Sequence, residues 1–418
     1  MQIEIVTIGN EILSGRTVDT NFAWLARAFE EASVQVAWHS TAGDSGERIA
    51  EALTRAIGRA DAVVLTGGLG PTPDDMTRKA VATVLGRPLR LDEEVLASIR
   101  ERARKLGRML PQSVESQALI PVGAQAWHNR LGTAPGLLLM HDDTPVILLP
   151  GVPYEMEGLA KEFAIPYLRA RTGRRVETFT LRTAGVSESM LQEKIALLPQ
   201  GWPGAQLAYL PSYFGVDLRV TVTGDDPERV GLVTAKAYDQ LRAVAAPVMY
   251  AEGATPLEQV VGETLMELGA RVVTAESCTG GLVAKRLTDV PGSSRYFERG
   301  FVTYSNVSKV QLLGVKASDL EAHGAVSAPI AEQMAEGAAK RAGVEAAVSI
   351  TGIAGPEGGS EEKPVGLVFI AVHGKRGTAV RKYQFVGTRS TIRERSAQIA
   401  LDLLRRHLRG MPLEATLV

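Results

Sequence analysis

The sequence contains few of the residues that build disulfide frameworks and zinc sites. One cysteine and six histidines occur in 418 residues. A single cysteine excludes an intramolecular disulfide and any metal site made from a cysteine cluster. The histidines lack the spacing of a zinc-protease helix, so a histidine-based zinc site is not expected.

An excess of charge of one sign and long apolar stretches are also missing. Lys and Arg number 46 and Asp and Glu number 47, a formal net charge of -1. The chain therefore lacks the basic surface of a dedicated nucleic-acid binder or of a protein that binds anionic membranes. No run of about 18 apolar residues is present, and the amino-terminal MQIEIVTIG has no basic n-region of a signal peptide. We expect a cytoplasmic protein with no membrane partner and no direct nucleic-acid partner.

Strand-like and helix-like segments alternate at both ends of the chain. Short apolar runs such as Asp61–Leu65 and Arg271–Ala275 are separated by amphipathic segments, which is typical of βαβ units with a parallel sheet. The middle instead alternates like half-buried strands, most clearly over Val216–Thr223. The pattern predicts an α/β protein. Two three-layer α/β/α domains, residues 1–170 and 253–418, would be joined by a small α+β domain of residues 171–252.

The first glycine-rich loop, TGGLGPTPDDMT, spans residues 66–77, after a buried strand and before a helix. An α/β sheet binds ligands at this edge, and glycines let the backbone approach a phosphate. Asp74 and Asp75 would repel that anion unless a cation lay between them, which predicts Mg²⁺ or a similar hard metal. The alternative is a tight turn in which Asp74 caps the helix.

A second loop, Glu276-Ser-Cys-Thr-Gly-Gly281, also joins a strand to a helix. Ser277 would lie near free helix N–H groups that can stabilise an oxyanion. Its candidate base is Lys309, whose reference pKa near 10.4 must fall to about 7 for the amine to be half neutral there. Burial or a neighbouring cation such as Arg389 could lower that pKa. The alternatives are a helix-capping Ser277 and Cys278 as a competing nucleophile.

Long ordered motifs resemble those of the CinA family of competence- and damage-inducible proteins. TIGNEIL, TGGLGPTPDDMT, NRLGTAPG and LPGVPYEM resemble its N-terminal domain, which is similar to molybdopterin-binding folds. TAESCTGGLVAKRLTDVPGSSRYFERGFVTYSNVSK, HGAVS and SITGIAGPEGGSEEKPVG resemble its C-terminal nicotinamide-nucleotide amidase domain. The middle domain resembles the KH-like module of the family.

For residues 253–418 the resemblance implies hydrolysis of nicotinamide mononucleotide (NMN) to nicotinate mononucleotide and ammonia, without a cofactor. By motif position Ser277 would be the nucleophile and Lys309 its base, and Tyr304 would assist proton transfer or orient Lys309. Arg389 would face the phosphate. The implied substrate-binding residues are Thr279, Gly280, Asn306, Thr351, Gly352 and Arg389.

For residues 1–170 the resemblance implies an ADP-ribose pyrophosphatase that uses a divalent metal (Mg²⁺, Co²⁺ or Mn²⁺) and releases AMP and ribose 5-phosphate. Asp74 and Asp75 would hold the metal. The two activities would serve pyridine-nucleotide recycling. The implied phosphate- and nucleotide-binding residues are Gly9, Glu11, Thr66, Gly67, Gly68, Gly70 and Thr72.

Other functions stay open at this point. The family name implies a non-enzymatic role in competence or DNA repair, through contact with the recombination protein RecA, and the fold resemblance implies a molybdopterin-binding module. The family also implies a homodimer. Gly201-Trp-Pro-Gly204 matches the GxxG pattern of KH domains but contains no basic residue, so we expect a spacer or dimerisation role and not RNA binding.

Overall fold

A computed structural model describes residues 1–105, 112–173, 175–199 and 202–414, which form two compact units. The first unit contains Met1–Glu177 and Thr223–Val230, and the second contains Thr178–Val222 and Gly231–Val418. Gly201 of the GxxG match lies outside the described residues. Within those residues, the helices are too short or too polar to cross a membrane.

The first unit is built on a six-stranded sheet with the strand order β2-β1-β3-β8-β7-β6. A separate pair, β4 and β5, lies outside this sheet. The strands are β1 (Gln2–Ile8), β2 (Gln35–Ala42), β3 (Ala62–Thr66), β4 (Leu89–Leu91), β5 (Leu119–Pro121), β6 (Gln125–Trp127), β7 (Gly136–His141) and β8 (Thr144–Leu149). The helices are α1 (Asn10–Leu13), α2 (Thr20–Glu31), α3 (Gly46–Ile57), α4 (Thr77–Val84), α5 (Glu93–Lys105), α6 (Gln112–Glu115), α7 (Pro153–Leu159) and α8 (Ile165–Arg171), with a π-helical turn at Ala160–Ala164 between the last two.

This sheet is mixed, whereas the sequence pattern predicted a parallel one. Strands β1, β2, β3 and β8 are parallel, but β7 and β6 run antiparallel to their neighbours. His141 pairs with Thr144 across a two-residue turn, in which Asp142 has a φ of 51°. A two-residue turn can join only antiparallel strands, and Asp is among the residues that tolerate positive φ.

Apolar side chains cover both faces of the sheet. Successive residues of a strand point to opposite faces. Val63 and Leu65 pack in a cluster with Leu53 of α3, while the alternate positions of β3 pack with Leu25 and Phe29 of α2. The sheet is thus the middle of three layers, which confirms the predicted α/β class.

The second unit contains a four-stranded and a five-stranded sheet. The orders are β10-β11-β9-β12 and β14-β13-β15-β16-β17. The strands are β9 (Arg175–Thr183), β10 (Ala205–Ser212), β11 (Gly215–Gly224), β12 (Met249–Glu252), β13 (Val272–Glu276), β14 (Phe297–Val302), β15 (Ala346–Gly352), β16 (Leu367–Gly374) and β17 (Gly377–Gln384). The helices are α9 (Glu188–Ala196), α10 (Pro227–Ala245), α11 (Leu257–Glu267), α12 (Leu282–Asp289), α13 (Asn306–Leu313), α14 (Ala317–His323), α15 (Ala328–Ala342) and α16 (Arg389–Arg409).

The five-stranded sheet is also mixed and also covered on both faces. Strands β13, β14 and β15 are parallel, and β16 and β17 are antiparallel additions. Leu401 of α16 packs on one face and Met334 of α15 on the other. The three parallel strands end at one edge, so the loops that follow Glu276, Val302 and Gly352 are brought together.

Candidate active site

The bend that carries Ser277 is fixed by the backbone on both sides. The amide of Ser277 donates to the carbonyl of Ile350 in the adjacent strand β15, at 2.9 Å. The chain then turns through Gly280 and Gly281, whose φ values of 61° and 93° lie in the left-handed region. Residues with a Cβ disfavour that region, which explains the pair of glycines. Helix α12 starts directly after them, at Leu282.

Lys309 lies against Ser277 in a buried position. Its side chain comes from α13, is 1% exposed, and places Nζ 3.2 Å from Ser277 Oγ. The same nitrogen donates to the carbonyl of Thr303 at 2.8 Å. Burial lowers the pKa of the Lys309 amine. Among the described residues no carboxylate forms an ion pair with it. A lysine in these surroundings is suited to accept a proton from the serine hydroxyl.

Cys278, the competing nucleophile, is a buried packing residue. It is 5% exposed and belongs to the apolar cluster around α12 and α16. Burial raises the pKa of the Cys278 thiol to about 12, so the sulfur stays protonated near neutral pH. A thiolate and not a thiol is the nucleophilic form. The geometry therefore favours Ser277.

The predicted free N–H groups at the start of α12 are occupied. The buried carboxylate of Glu276 accepts hydrogen bonds from the amides of Gly281 (2.9 Å), Val283 (3.1 Å) and Ala284 (2.8 Å). The expectation that these groups stabilise an oxyanion is wrong for these three amides. Sequence reasoning missed Glu276 because a carboxylate in the preceding strand does not have the spacing of a capping box.

Tyr304 and Arg389 form a polar pair beside this dyad. Tyr304 is 59% exposed, and its hydroxyl accepts a hydrogen bond from Arg389 Nη2 at 2.7 Å. Arg389 Nη1 donates to the carbonyl of Gly355 at 2.7 Å. Tyr304 follows Thr303, the residue whose carbonyl binds Lys309. The structure thus places both predicted residues at the same sheet edge as Ser277, and Arg389 orients the tyrosine.

The remaining predicted amidase residues differ in exposure and in whether they are already hydrogen-bonded within the protein. The Thr351 hydroxyl is buried and donates to the carbonyl of Ala325 at 2.8 Å. The Thr279 carbonyl accepts a hydrogen bond from Arg393 Nη2 at 2.7 Å. Asn306 is exposed at the start of α13, and Gly352 ends β15. Sequence reasoning missed Arg393, although its position four residues after Arg389 on one helix was a usable signal.

The glycine loop of the first unit lies at the carboxyl end of β3. Gly67 and Gly68 have φ values of 108° and 64°. The Thr66 hydroxyl donates to the carbonyl of Pro150 at 2.8 Å, and Asn21 Nδ2 donates to the carbonyl of Gly151 at 2.8 Å. These bonds join the loops after β3 and β8 to the start of α2. Sequence reasoning missed Asn21.

Asp75 closes the second half of this loop. Its Oδ2 accepts hydrogen bonds from the amide and the hydroxyl of Thr72, at 2.8 and 2.6 Å. Asp74 is exposed. It is not the cap of α4, because that helix begins at Thr77 with Met76 in the cap position. The alternative in which Asp74 caps the helix is therefore wrong.

The other predicted residues of the first unit, Gly9 and Glu11, follow β1 and lie against their neighbours. The amide of Gly9 donates to the carbonyl of Ala42 at 3.0 Å, and the exposed Glu11 carboxylate lies against Gly9.

Sequence reasoning missed a buried arginine beside the glycine loop, Arg78. It donates to the carbonyls of Leu69 and Gly70, and burial lowers the pKa of its guanidinium. Among the described residues, no group of three or more His, Cys, Asp or Glu side chains could hold a metal ion.

Three sequence models of protein families match this chain. Residues 4–170 match the family described as "Probable molybdopterin binding domain". Residues 178–251 match "Damage-inducible protein CinA KH domain", and residues 254–408 match "CinA C-terminal domain". The three matches follow one another along the chain without overlap.

Whole proteins match over the same length. A CinA-like protein of Gemmatimonas aurantiaca is 43% identical over 97% of this chain and 96% of its own length. A CinA-like protein of Geotalea daltonii is 39% identical over 99% and 100%, respectively. Among solved structures, a competence/damage inducible protein of Agrobacterium tumefaciens is 44% identical over 37% of this chain and 93% of its own, with a TM-score of 0.36. The chain therefore belongs to the CinA family.

Proposed function

We propose that residues 253–418 hydrolyse NMN to nicotinate mononucleotide and ammonia with a Ser277–Lys309 dyad. The observation that carries the proposal is the position of the Lys309 amine. It is buried, has no ion-pair partner among the described residues and lies 3.2 Å from the Ser277 hydroxyl oxygen. A protonated amine is costly in such surroundings, so the neutral form is favoured and can act as a base.

The reaction would pass through an ester on Ser277. As Ser277 Oγ attacks the carboxamide carbon, the neutral Lys309 amine takes the hydroxyl proton. The carbon–nitrogen bond then breaks, and Lys309 returns the proton to the leaving nitrogen, which departs as ammonia. Lys309 next removes a proton from water while the water oxygen attacks the ester carbon. Nicotinate mononucleotide leaves, and Ser277 regains its proton.

Two arginines support a substrate that carries a phosphate. Arg389 and Arg393 begin helix α16 on the same face, and each already contacts a loop of the site, through Gly355 and Thr279 respectively. A guanidinium offers five N–H donors, so both side chains retain donors for phosphate oxygens. The amino-terminal end of the helix also favours an anion.

The amidase proposal is tested by ammonia release from NMN with the purified full-length protein. We expect release by the wild type and by Cys278→Ala, and its loss in Ser277→Ala. Cys278→Ala is the matched control because it removes the neighbouring nucleophile from the same bend. Absence of ammonia from the wild type, or full activity in Ser277→Ala, would contradict the proposal.

For residues 1–170 we propose the metal-dependent hydrolysis of ADP-ribose. Support comes from the glycine loop at the strand ends and from the two carboxylates beside it. Asp74 and Asp75 would hold Mg²⁺, Co²⁺ or Mn²⁺. Such a weakly ligated site fits a hard ion that is shared with substrate phosphates. When bound, the ion would neutralise charge on the pyrophosphate.

This second proposal is tested by measuring AMP formation from ADP-ribose with and without each of the three metals. Loss of AMP on chelation, with ammonia release from NMN unchanged, is the expected result. The homodimer and the RecA contact remain predictions. A RecA complex that survives Ser277→Ala would favour the accessory role in competence or repair, and molybdopterin binding by the full chain would favour the molybdopterin-binding module.

A further inference from the structure

The small KH-like domain shares a core with the amidase domain inside the second unit. Ala184 and Tyr250 are buried in the same apolar cluster as Leu401 of α16. Arg406 of α16 is 2% exposed, and its Nη2 donates to the carbonyl of Pro247 at 2.8 Å. These shared core contacts argue against a loosely attached spacer and link the KH-like domain to the helices of the amidase domain.

The tip of the β10–β11 hairpin is held in place by a close backbone approach. Ser212 pairs with Gly215 across the turn. Gly215 has a φ of 147°, and a Cβ at this position would lie 1.9 Å from the carbonyl oxygen of Thr183. Only glycine allows that approach. The tip is therefore fixed against the end of β9, and Phe214 is presented from a rigid turn.

Phe214 contacts two helices of the amidase domain. Its carbonyl accepts a hydrogen bond from Gln398 Nε2 of α16 at 2.8 Å. The guanidinium of Arg286, on α12, lies over its ring at 5.0 Å from the centroid. Arg286 is 7% exposed, and its Nη2 donates at 2.7 Å to both Glu258 and Gln398. A cation–π contact is strongest for a desolvated cation such as this one.

Both helices under the hairpin tip begin at the active site. Helix α12 follows the bend that carries Ser277, and α16 begins with Arg389. Arg393 of α16 also holds the carbonyl of Thr279 in that bend. The Arg286–Gln398 hydrogen bond joins the two helices beneath Phe214. A displacement of the hairpin tip would therefore change the relative position of nucleophile and phosphate-binding arginines.

We propose that Phe214 is a positioning residue for the amidase site and that the KH-like hairpin acts as a brace on helices α12 and α16. The proposal rests on the amidase function proposed above, but the brace itself has a signature that does not require activity. It assigns the KH-like domain an intramolecular role in place of a spacer or dimerisation role.

Kinetics give the first test. Phe214→Leu keeps an apolar side chain but removes the ring, and Tyr213→Ala is the matched control because Tyr213 is a 57% exposed aromatic residue in the same turn. We expect Phe214→Leu to lower kcat for ammonia release about tenfold, as small misplacements do. KM should change little because Arg389 and Arg393 remain. Phe214→Tyr should restore kcat, and Tyr213→Ala should match the wild type.

Labelling of Cys278 by a water-soluble aromatic disulfide gives the second test. The chain has one cysteine, next to Ser277 and 5% exposed, so the labelling rate reports opening of the bend. We expect labelling about tenfold faster in Phe214→Leu than in the wild type, Phe214→Tyr or Tyr213→Ala. Denaturant unfolding of each variant gives the globally unfolded fraction for comparison.

The outcomes separate the brace from the amidase. Unchanged labelling and kcat in Phe214→Leu would overturn the brace, and so would an acceleration no larger than the rise in the globally unfolded fraction. Equal acceleration in Tyr213→Ala would also overturn it. If the wild type releases no ammonia but labelling still follows the expected pattern, the amidase proposal fails and the brace stands.

Discussion

The two loops that carry the candidate sites use their polar groups in opposite ways. Around the glycine loop of residues 66–77, Asp75 binds Thr72, and the buried Arg78 binds backbone carbonyls of the loop. These side chains already have partners within the loop. Around Ser277 the buried amine of Lys309 has a hydroxyl and a carbonyl as neighbours, and among the described residues no carboxylate neutralises it.

The first loop therefore holds a fixed shape, whereas the second loop holds a group poised to react. A loop whose side chains are hydrogen-bonded to one another has a fixed geometry. A ligand that binds to it would bring the charge and the metal ion. A buried amine without a neighbouring carboxylate lowers the free energy of unfolding. Proteins tolerate such a loss where the neutral amine serves as the base of a reaction. The first loop should therefore respond to mutation mainly in ligand binding, and the second should show activity and stability changing in opposite directions.

The largest expected effect is that of Lys309→Met. Loss of the proposed base should reduce ammonia release from NMN about 10²- to 10⁴-fold, the usual contribution of a general base. Because the variant also removes a buried ionisable group, the free energy of unfolding should rise by about 1 kcal/mol. Denaturant unfolding and an ammonia assay measure the two changes.

Lys285→Met is the matched control for this variant. Lys285 is an exposed lysine on α12 that pairs with Asp289. Its replacement should leave the activity intact and change the free energy of unfolding by less than about 0.5 kcal/mol. A Lys309→Met protein that is less stable than the wild type, or still active, would contradict the proposed difference between the two loops.

The next largest effect is expected from removing the proposed phosphate contact. Arg389→Met should raise KM for NMN about tenfold or more, the amount expected for hydrogen bonds to a charged group. The matched substrate is nicotinamide riboside, which lacks the phosphate and should be affected little. Arg395→Met, six residues further along the same helix, is the control variant. Equal losses with both substrates would show that Arg389 acts only through Tyr304.

The pH profile of the proposed amidase activity tests the protonation state of Lys309. Burial lowers the pKa of its amine from the usual 10.5, and the neutral form is the base in the proposed mechanism. The value of kcat/KM should therefore rise with pH up to the lowered pKa, about tenfold per pH unit on the acidic limb. Stability should rise with pH between the folded pKa and 10.5, because the unfolded state binds more protons there. A rate that falls as pH rises through this limb would contradict the assignment, and Cys278→Ser should leave the profile unchanged.

The sequence allowed prediction of the α/β class and of the two loops, because both depend on local patterns. Buried strands, glycine pairs and helical spacing are read within a few residues, and so Ser277 and Lys309 could be proposed from the chain alone. The antiparallel strands of the first sheet were missed because the β7–β8 turn has Asp142-Asp143, a weaker hairpin signal than Asn-Gly.

Contacts made across the fold were not predictable in the same way. Glu276 caps a helix from the preceding strand, Arg78 reaches back into a loop, and Phe214 meets Arg286 from another domain. None of these pairs has a fixed spacing along the chain. The same limit applies to Cys278, whose pKa is raised chiefly by burial in the folded protein.

A smaller effect is expected in the first unit, for Asp75→Asn. The variant removes a carboxylate from the proposed metal site and weakens the bonds from Thr72. Metal-dependent AMP formation from ADP-ribose should fall about tenfold, and stability by about 1 kcal/mol. Ammonia release from NMN should be unchanged. The control is Asp61→Asn, which changes an exposed carboxylate just before β3. Loss of both activities would show that the loop matters for the whole protein.

The smallest effect concerns two histidines, one in each unit. Burial lowers the pKa of both His39 and His407. The Asp19 carboxylate, 3.3 Å from His39, opposes the shift, whereas His373 and Arg376 reinforce it at His407. Because the folded pKa values lie below 6.5, the free energy of unfolding falls as the pH drops from 6.5 to each folded pKa. The melting temperature falls when the pH is lowered from about 7 to about 5, and His407→Gln should reduce this fall more than His39→Gln does. The expected difference between the two variants is about 2–4 °C. Thermal unfolding of both variants measures the difference, and an equal recovery would show that Asp19 does not protect the first unit from acid.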